Sequence, residues 1–405
     1  YAVGIRSELP QTVIRSRHFP EKGECLRSIH FPDEHSDIEK ARRMLIFEEL
    51  FHLQWTVARR AMELRPSKNA GQPWSDDLIL RLTDTLPFHL TPDQDTSLNE
   101  IREDLSSNRP MSRLLQGEVG SGKTLVAFMA ALGVIGAGRQ AVFMAPTELL
   151  ARQHADNAAN LLEPLGVRAA FLTGDVTGSS RNALTDALAA GDVDLAVGTH
   201  ALFGSDVKFK DLGLAIIDEQ HRFGVEQRRA LAEKGDNVDV LALSATPIPR
   251  TLALTAFGDM DVSSIRTMPA GRLPVETHLA RMGNEVKVYE FVRRELEAGR
   301  RAYFVYPLIE ESEKTSLKDA ENMYIHLSKV VFPDYPAALV HSRVDEEEKR
   351  RIMTGFRSGE IRLLVATSVV EVGVDVPEAT CMVIEHAERF GLSALHQLRG
   401  RVGRG

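Results

Sequence analysis

The chain has 405 residues, 43% of them apolar and 26% charged, with a net charge of −8. That is a globular composition, too long for one ordinary core, so two or more domains are expected. No apolar run approaches the roughly 18 residues of a membrane span. The start has no apolar signal-peptide core, and the acidic balance disfavours a protein that coats nucleic acid indiscriminately. A local basic groove stays open, because phosphate binding needs only a few well-placed Lys or Arg. Cys25 and Cys381 lie far apart with no metal-ligand spacing, which suits a reducing compartment, and a cytoplasmic location is expected. The chain begins at Tyr1 without Met and stops at Gly405 straight after an arginine cluster. It therefore reads as an internal fragment of a longer protein.

Residues 1–35 hold Pro10, Pro20 and Pro32 and show no sustained period, so an irregular connector is expected there. A long helix follows over 36–66. Ser36 is its expected N-cap, with Glu39 at capping-box spacing, and Pro66 ends it. Met44, Phe47, Phe51, Trp55, Ala58 and Met62 form one apolar stripe; Ile46, Leu50, Leu53, Val57, Ala61 and Leu64 form a second. Two adjacent stripes predict a wide buried face, with Arg42, Arg43, Arg59 and Arg60 on the solvated side. The helix reads as a brace between domains.

From about residue 86 the pattern turns α/β. Strands are expected at Ala141–Met144, Ala169–Leu172, Leu195–Val197, Leu214–Ile217 and Val240–Leu243, with helices such as Leu125–Ile135 and Glu148–Leu162 between them. This alternation implies a parallel, doubly wound sheet. It restarts after the Pro/Gly/Arg-rich stretch Pro269–Pro274, with strands at Ala302–Tyr306, Ala338–Val340, Leu363–Val365 and Met382–Ile384. The expected division is thus a first lobe over 67–268 and a second over 269–405. Asp345 to Glu348, followed by Lys349, Arg350 and Arg351, reads as a helix start with dipole-matched charges.

Gly117-Glu118-Val119-Gly120-Ser121-Gly122-Lys123-Thr124 fits the phosphate-loop pattern and lies between an apolar run and a helical segment. Gly117, Gly120, Ser121 and Gly122 bring backbone N–H groups to the phosphates. Lys123 neutralises their charge, and Thr124 offers a hydroxyl to Mg²⁺. Asp218 closes the run Leu214–Ile217, at the strand end where open α/β sheets bind ligands. It is the expected second Mg²⁺ ligand, and Glu219 beside it the group that activates water. Arg401 and Arg404, three apart, would share a helix face and reach the γ-phosphate from the other lobe.

With these motifs in place the chain is similar to superfamily 2 helicases and, more closely, resembles the RecG family of branched-DNA helicases. Leu86 to Gln94 (LPFHLTPDQ) resembles that family's adenine-recognising Q motif, with Gln94 as base reader. Ala145-Pro146-Thr147-Glu148 and Gly198-Thr199-His200 resemble motifs Ia and Ib. Asp218-Glu219-Gln220-His221 with Arg222-Phe223-Gly224-Val225 resembles motif II, and Ser244-Ala245-Thr246 motif III. Ala366 to Pro377 resembles motif V, and Gln397 to Gly405 motif VI. The resemblance implies two RecA-like lobes that use ATP and Mg²⁺ to move on branched or duplex DNA, without a membrane and as a monomer. It implies catalytic roles for Gln397, Arg401 and Arg404, and nucleotide contacts from Gly373 and Asp375. It further implies that Thr147, Arg152, Thr199, His200 and Thr367 face the nucleic acid. Departures are Glu118 where Asp is usual and His341-Ser342-Arg343-Val344 where His-Gly-Arg-Met is usual. The family's N-terminal wedge would lie upstream of Tyr1, and the second lobe would be cut after motif VI.

Two rivals are weighed against this. A related duplex translocase, such as the transcription-repair coupling factor, is similar in its RFGV and GVDVP elements, but the LPFHLTPDQ stretch and the bracing helix favour the branch-migration family. A non-catalytic nucleotide-binding scaffold is disfavoured by Lys123, Glu219 and Arg404.

Overall fold

The computed structural model describes residues 4–64, 71–219, 234–235, 238–245, 260–269, 275–281, 283–307, 313–341, 343–367 and 376–403. The chain divides into two compact units, 1–67 with 248–262 and 68–247 with 263–405.

In the first unit the stretch expected to be an irregular connector carries two helices, α1 (Gln11–Ser16) and α2 (Lys22–His30). At six and nine residues they are too short to show a sustained period. Their prolines flank them: Pro10 is the N-cap of α1, where a missing N–H costs nothing. Helix α3 (His35–Leu64) is the long one. It begins at His35, so Ser36 lies inside the first turn and does not act as N-cap. Its hydroxyl donates to the Glu34 carboxylate at 3.3 Å.

The wide buried face expected of α3 is a single stripe. Ala41 and Met44 are buried with Leu9, Ile14 and Cys25, and Phe19, Phe47 and Phe51 pack against them. Ile46, Leu50, Leu53 and Trp55 are exposed, Trp55 at 63%. Among the described residues, the two short helices α1 and α2 pack along one side of this thirty-residue helix. Arg42, Arg43 and Arg59 are exposed as expected; the side chains of Val57, Arg60, Ala61, Met62 and Leu64 lie outside the described residues. Glu48 was missed. It is 3% exposed and accepts from the Ser7 hydroxyl at 2.7 Å, the Glu8 amide at 2.9 Å and Lys22 Nζ at 2.8 Å.

The second unit holds two sheets. Its first lobe starts with α4 (Asp77–Thr85) and α5 (Pro92–Ser106). Strands β1 (Ser112–Gly117), β2 (Gln140–Met144), β3 (Ala169–Leu172), β4 (Leu195–Gly198), β5 (Leu212–Ile217), β6 (Asp239–Ser244) and β7 (Asp261–Ile265) form one sheet in the order β3-β4-β2-β5-β6-β1-β7. The pairings among β1 to β6 are parallel. Helices α6 (Lys123–Gly136), α7 (Glu148–Leu162) and α8 (Gly178–Ala190) are the crossovers. All six residues of β5 and all five of β2 are buried, the uniform apolar run of a strand covered on both faces.

The second lobe contains α9 (Glu285–Glu297), β8 (Arg301–Val305), α10 (Glu313–His326), β9 (Ala337–Val340), α11 (Glu346–Ser358), β10 (Leu363–Ala366), β11 (Ala379–Ile384) and α12 (Leu392–Arg399). Its sheet runs β11-β8-β10-β9, all parallel. Asp345 caps α11 by accepting from the Glu348 amide at 2.9 Å. Every strand expected from the alternation is present. The edge strand β7 (Asp-Val-Ser-Ser-Ile) was missed because it lacks an apolar run.

Candidate active site

Parallel strands send all their C-terminal ends to one edge. That edge carries the phosphate loop after β1 and Asp218 after β5, with only β6 between them. Gly120 and Gly122 have φ of 82° and 89°, a region that side chains resist. A Cβ on Gly122 would also meet Gln94 Nε2 at 2.2 Å. Lys123 is buried and donates to the carbonyls of Gly117 and Glu118, both at 2.8 Å. The Ser121 hydroxyl is buried with no hydrogen-bond partner among the described residues, and Thr124 is half-buried in the first turn of α6.

Gln94 stands at N3 of α5 in a full capping box: the Thr91 hydroxyl accepts from the Gln94 amide while Gln94 Oε1 accepts from the Thr91 amide at 2.8 Å. Its Nε2 reaches the Ser121 carbonyl at 2.8 Å. The expected base reader is therefore clasped to the phosphate loop. Beside it, one Asp93 oxygen accepts from the amides of Arg266 and Thr267 and the Thr267 hydroxyl at 2.7–2.9 Å.

Asp218 Oδ1 accepts from the Glu219 amide at 3.0 Å, and Oδ2 faces His154 Nε2 at 2.9 Å. Burial alone would raise the Asp218 carboxyl. The His154 hydrogen bond and charge, the Lys123 charge and the Glu219 amide outweigh it and hold the group below the ordinary aspartate value, hence ionised. Glu219 has φ 51°, one of three non-glycine residues at positive φ among those described. Such a conformation is held at a cost of about 1–3 kcal/mol and persists where the surroundings enforce it. Here a residue of the second lobe contributes: Gln397 Nε2 donates to Glu219 Oε2 at 3.3 Å.

Two further contacts join the lobes at this point. Arg399 pairs with Glu118 at 3.3 Å, and Gly400 lies against Val119 of the phosphate loop. Helix α12 ends at Arg399 with Gly400 as C-cap, so Arg401 sits in the following turn and not on the helix. Gly403, at φ 77°, bars continuation. Arg404, Gly373 and Asp375 lie outside the described residues.

The arrangement fits a nucleoside triphosphate with a hard divalent cation. Glycine-rich backbone, a buried ammonium and an unpartnered hydroxyl suit phosphate oxygens. No cluster of three His, Cys, Asp or Glu that could hold a metal occurs among the described residues. One hydroxyl and one ionised carboxylate are a set suited to Mg²⁺ sharing phosphate ligands.

The expected nucleic-acid residues are dispersed over strand ends. Thr147 caps α7, accepting from the Leu150 amide at 3.4 Å. Arg152 lies over the Phe171 ring at 4.6 Å and pairs with Glu148 at 3.4 Å. Thr199 is buried at the end of β4 while His200 is exposed. The Thr367 hydroxyl, at the end of β10, is buried without a partner among the described residues. Thr173, at the end of β3 beside Thr199, is likewise buried, its hydroxyl without a partner among the described residues. Sequence reading missed Thr173 and His154. The only available signal for His154 was a histidine seven residues after Thr147, on one helix face.

The model for DEAD/DEAH box helicases matches residues 91–255, and that for the helicase conserved C-terminal domain matches 287–405. The ATP-dependent DNA helicase RecG of Treponema pallidum is 52% identical over 99% of this chain and 61% of its own length. That of Bacillus subtilis is 46% identical over 100% and 60%. A solved structure of RecG bound to a three-way DNA junction superposes with a TM-score of 0.80 at 43% identity, covering 100% of this chain and 53% of that one. The chain thus spans about half to three-fifths of the length of these relatives. The DNA-bound helicase MrfA, at 18% identity and TM-score 0.62, shares the fold.

Proposed function

The chain belongs to the RecG family, and from that premise we propose that it drives ATP-dependent helicase action on branched DNA. The observation that carries the reading is the Gln397–Glu219 hydrogen bond. The acid beside the phosphate loop is touched from the second lobe, so the site is split between two bodies that nucleotide can draw together. A scaffold that merely binds nucleotide needs no such contact.

In this reading the loop amides and Lys123 bind the triphosphate, with Lys123 exchanging the Gly117 and Glu118 carbonyls for phosphate oxygens. Thr124 and Asp218 would hold Mg²⁺, which when bound supplies positive charge to the phosphate oxygens. Glu219 accepts the proton of the attacking water, and Gln397 orients its carboxylate. Arg401 and Arg404 supply charge from the second lobe; Gly373 and Asp375 would line the nucleotide from that side. Gln94 would read adenine by exchanging one of its two bonds for the base edge. Thr147, Arg152, Thr173, Thr199, His200 and Thr367 would position the strand through its phosphates without reading sequence. The hydroxyls of Thr173 and Thr367, buried and without a partner among the described residues, support this, because buried polar groups rarely stay unpaired without a use. Closing and reopening of the lobes would then shift the grip on DNA.

The test is ATP hydrolysis by the full-length protein on forked, three-way and linear DNA, with Lys123→Ala as control. Stimulation by branched over linear DNA is expected; equal rates on all substrates would refute the assignment.

A further inference from the structure

His154 belongs to no motif used above, yet it is 5% exposed and sits directly on Asp218. Its ring leans on Phe143 of β2, with centroids 4.5 Å apart. Its Nδ1 is buried with no hydrogen-bond partner among the described residues. An ionised carboxylate can only accept, so Nε2 carries a proton and donates to Asp218 Oδ2. The other oxygen is engaged by the Glu219 amide. The carboxylate plane is thereby set by two donors, each leaving its oxygen a further lone pair. The ring itself is held by α7, whose first turn is fixed by the Thr147 cap and by Leu149 packed on the second lobe's core.

We propose that His154 is a positioning residue for Asp218: its hydrogen bond orients the carboxylate for the divalent cation of the nucleotide. The inference rests on the reading of Asp218 as a metal ligand. Partners that orient metal-binding groups contribute about 10- to 100-fold to affinity or activity.

The test uses the full-length protein and titrates Mn²⁺ by its paramagnetic resonance signal in the presence of ADP. His154→Leu fills the space without a donor; His154→Gln returns an N–H at similar reach. Leu is expected to raise the half-saturating Mn²⁺ concentration at least about tenfold, with ADP binding in chelator unchanged, while Gln stays close to the parent. Parental Mn²⁺ affinity in the Leu variant would overturn the proposal. So would equal impairment of both variants, since that would mark a packing role. Asp218→Ala separates the two levels. Lost Mn²⁺ affinity there, with none lost in His154→Leu, removes only the His154 proposal. Parental affinity in Asp218→Ala removes the metal-ligand reading itself.

Discussion

Gly400→Ala separates the joining of the lobes from their folding. Gly400 has φ −68° and ψ −9°, values open to any residue, so its backbone does not require glycine. Its surroundings do: a Cβ would lie 2.5 Å from the Cβ of Val119 in the phosphate loop. In an unstrained conformation Gly→Ala by itself stabilises a fold by about 0.4–1 kcal/mol. Forcing an extra methyl into a packed contact costs about 1–3 kcal/mol. That cost falls on the approach of the second lobe to the loop, not on either sheet. Melting temperature should therefore hold or rise, while kcat/KM for DNA-stimulated ATP hydrolysis falls about 5- to 150-fold. Adding Val119→Gly deletes the atom that is struck and should recover part of the loss. Parental ATP hydrolysis by a Gly400→Ala protein of normal stability would show that the lobes need not meet as the structure has them.

Other substitutions test other parts of the molecule. Thr367→Val replaces a buried hydroxyl that has no partner among the described residues with a methyl, so thermal stability should not fall. If the hydroxyl serves a phosphate, DNA affinity should drop about tenfold, the worth of a hydrogen bond to a charged group; unchanged binding in a titration with labelled DNA counts against that role. Arg113, buried on β1, donates to Asp104 at 2.7 Å, Glu100 at 3.0 Å and Ser263 at 2.8 Å. Removing it as Arg113→Ala strands two partly exposed carboxylates and should cost about 2 kcal/mol in denaturant unfolding. Glu48 gives a pH signature. Burial raises its carboxyl, but the hydrogen bonds from Lys22, Ser7 and the Glu8 amide prevail and hold it below 4.5. Its stabilisation is therefore complete above about pH 4.5 and is lost as pH falls through the lower folded value. Glu48→Gln should be less stable at neutral pH and lose less on acidification; parallel pH–stability curves would contradict this.

The fold was legible wherever one local rule decided. Fully buried parallel strands read as short apolar runs, and β2, β5 and β10 stood where those runs lay. The phosphate loop was legible because glycine, lysine and threonine are each needed at a set spacing. The failures were of two kinds. Helices α1, α2 and α4 are too short for a period to declare itself, and β7 is a polar edge strand whose place is decided by pairing. The second stripe of α3 was misread because an apolar side chain is buried only if something covers it, and among the described residues α1 and α2 pack against the other stripe.

The candidate site divides the same way. The residue types by themselves determined that this chain carries a phosphate loop, a strand-end Asp-Glu pair and a late Gln-Arg cluster, because the chemistry of phosphate restricts which side chains can serve. Only the tertiary structure decided that Gln94 clasps Ser121, that His154 holds Asp218, that Gln397 reaches Glu219 and that Gly400 must have no side chain. Each of these is a distance of a few ångströms between segments far apart in the chain. No local period or spacing encodes such a distance; it exists only once the strands have brought their ends to a common edge.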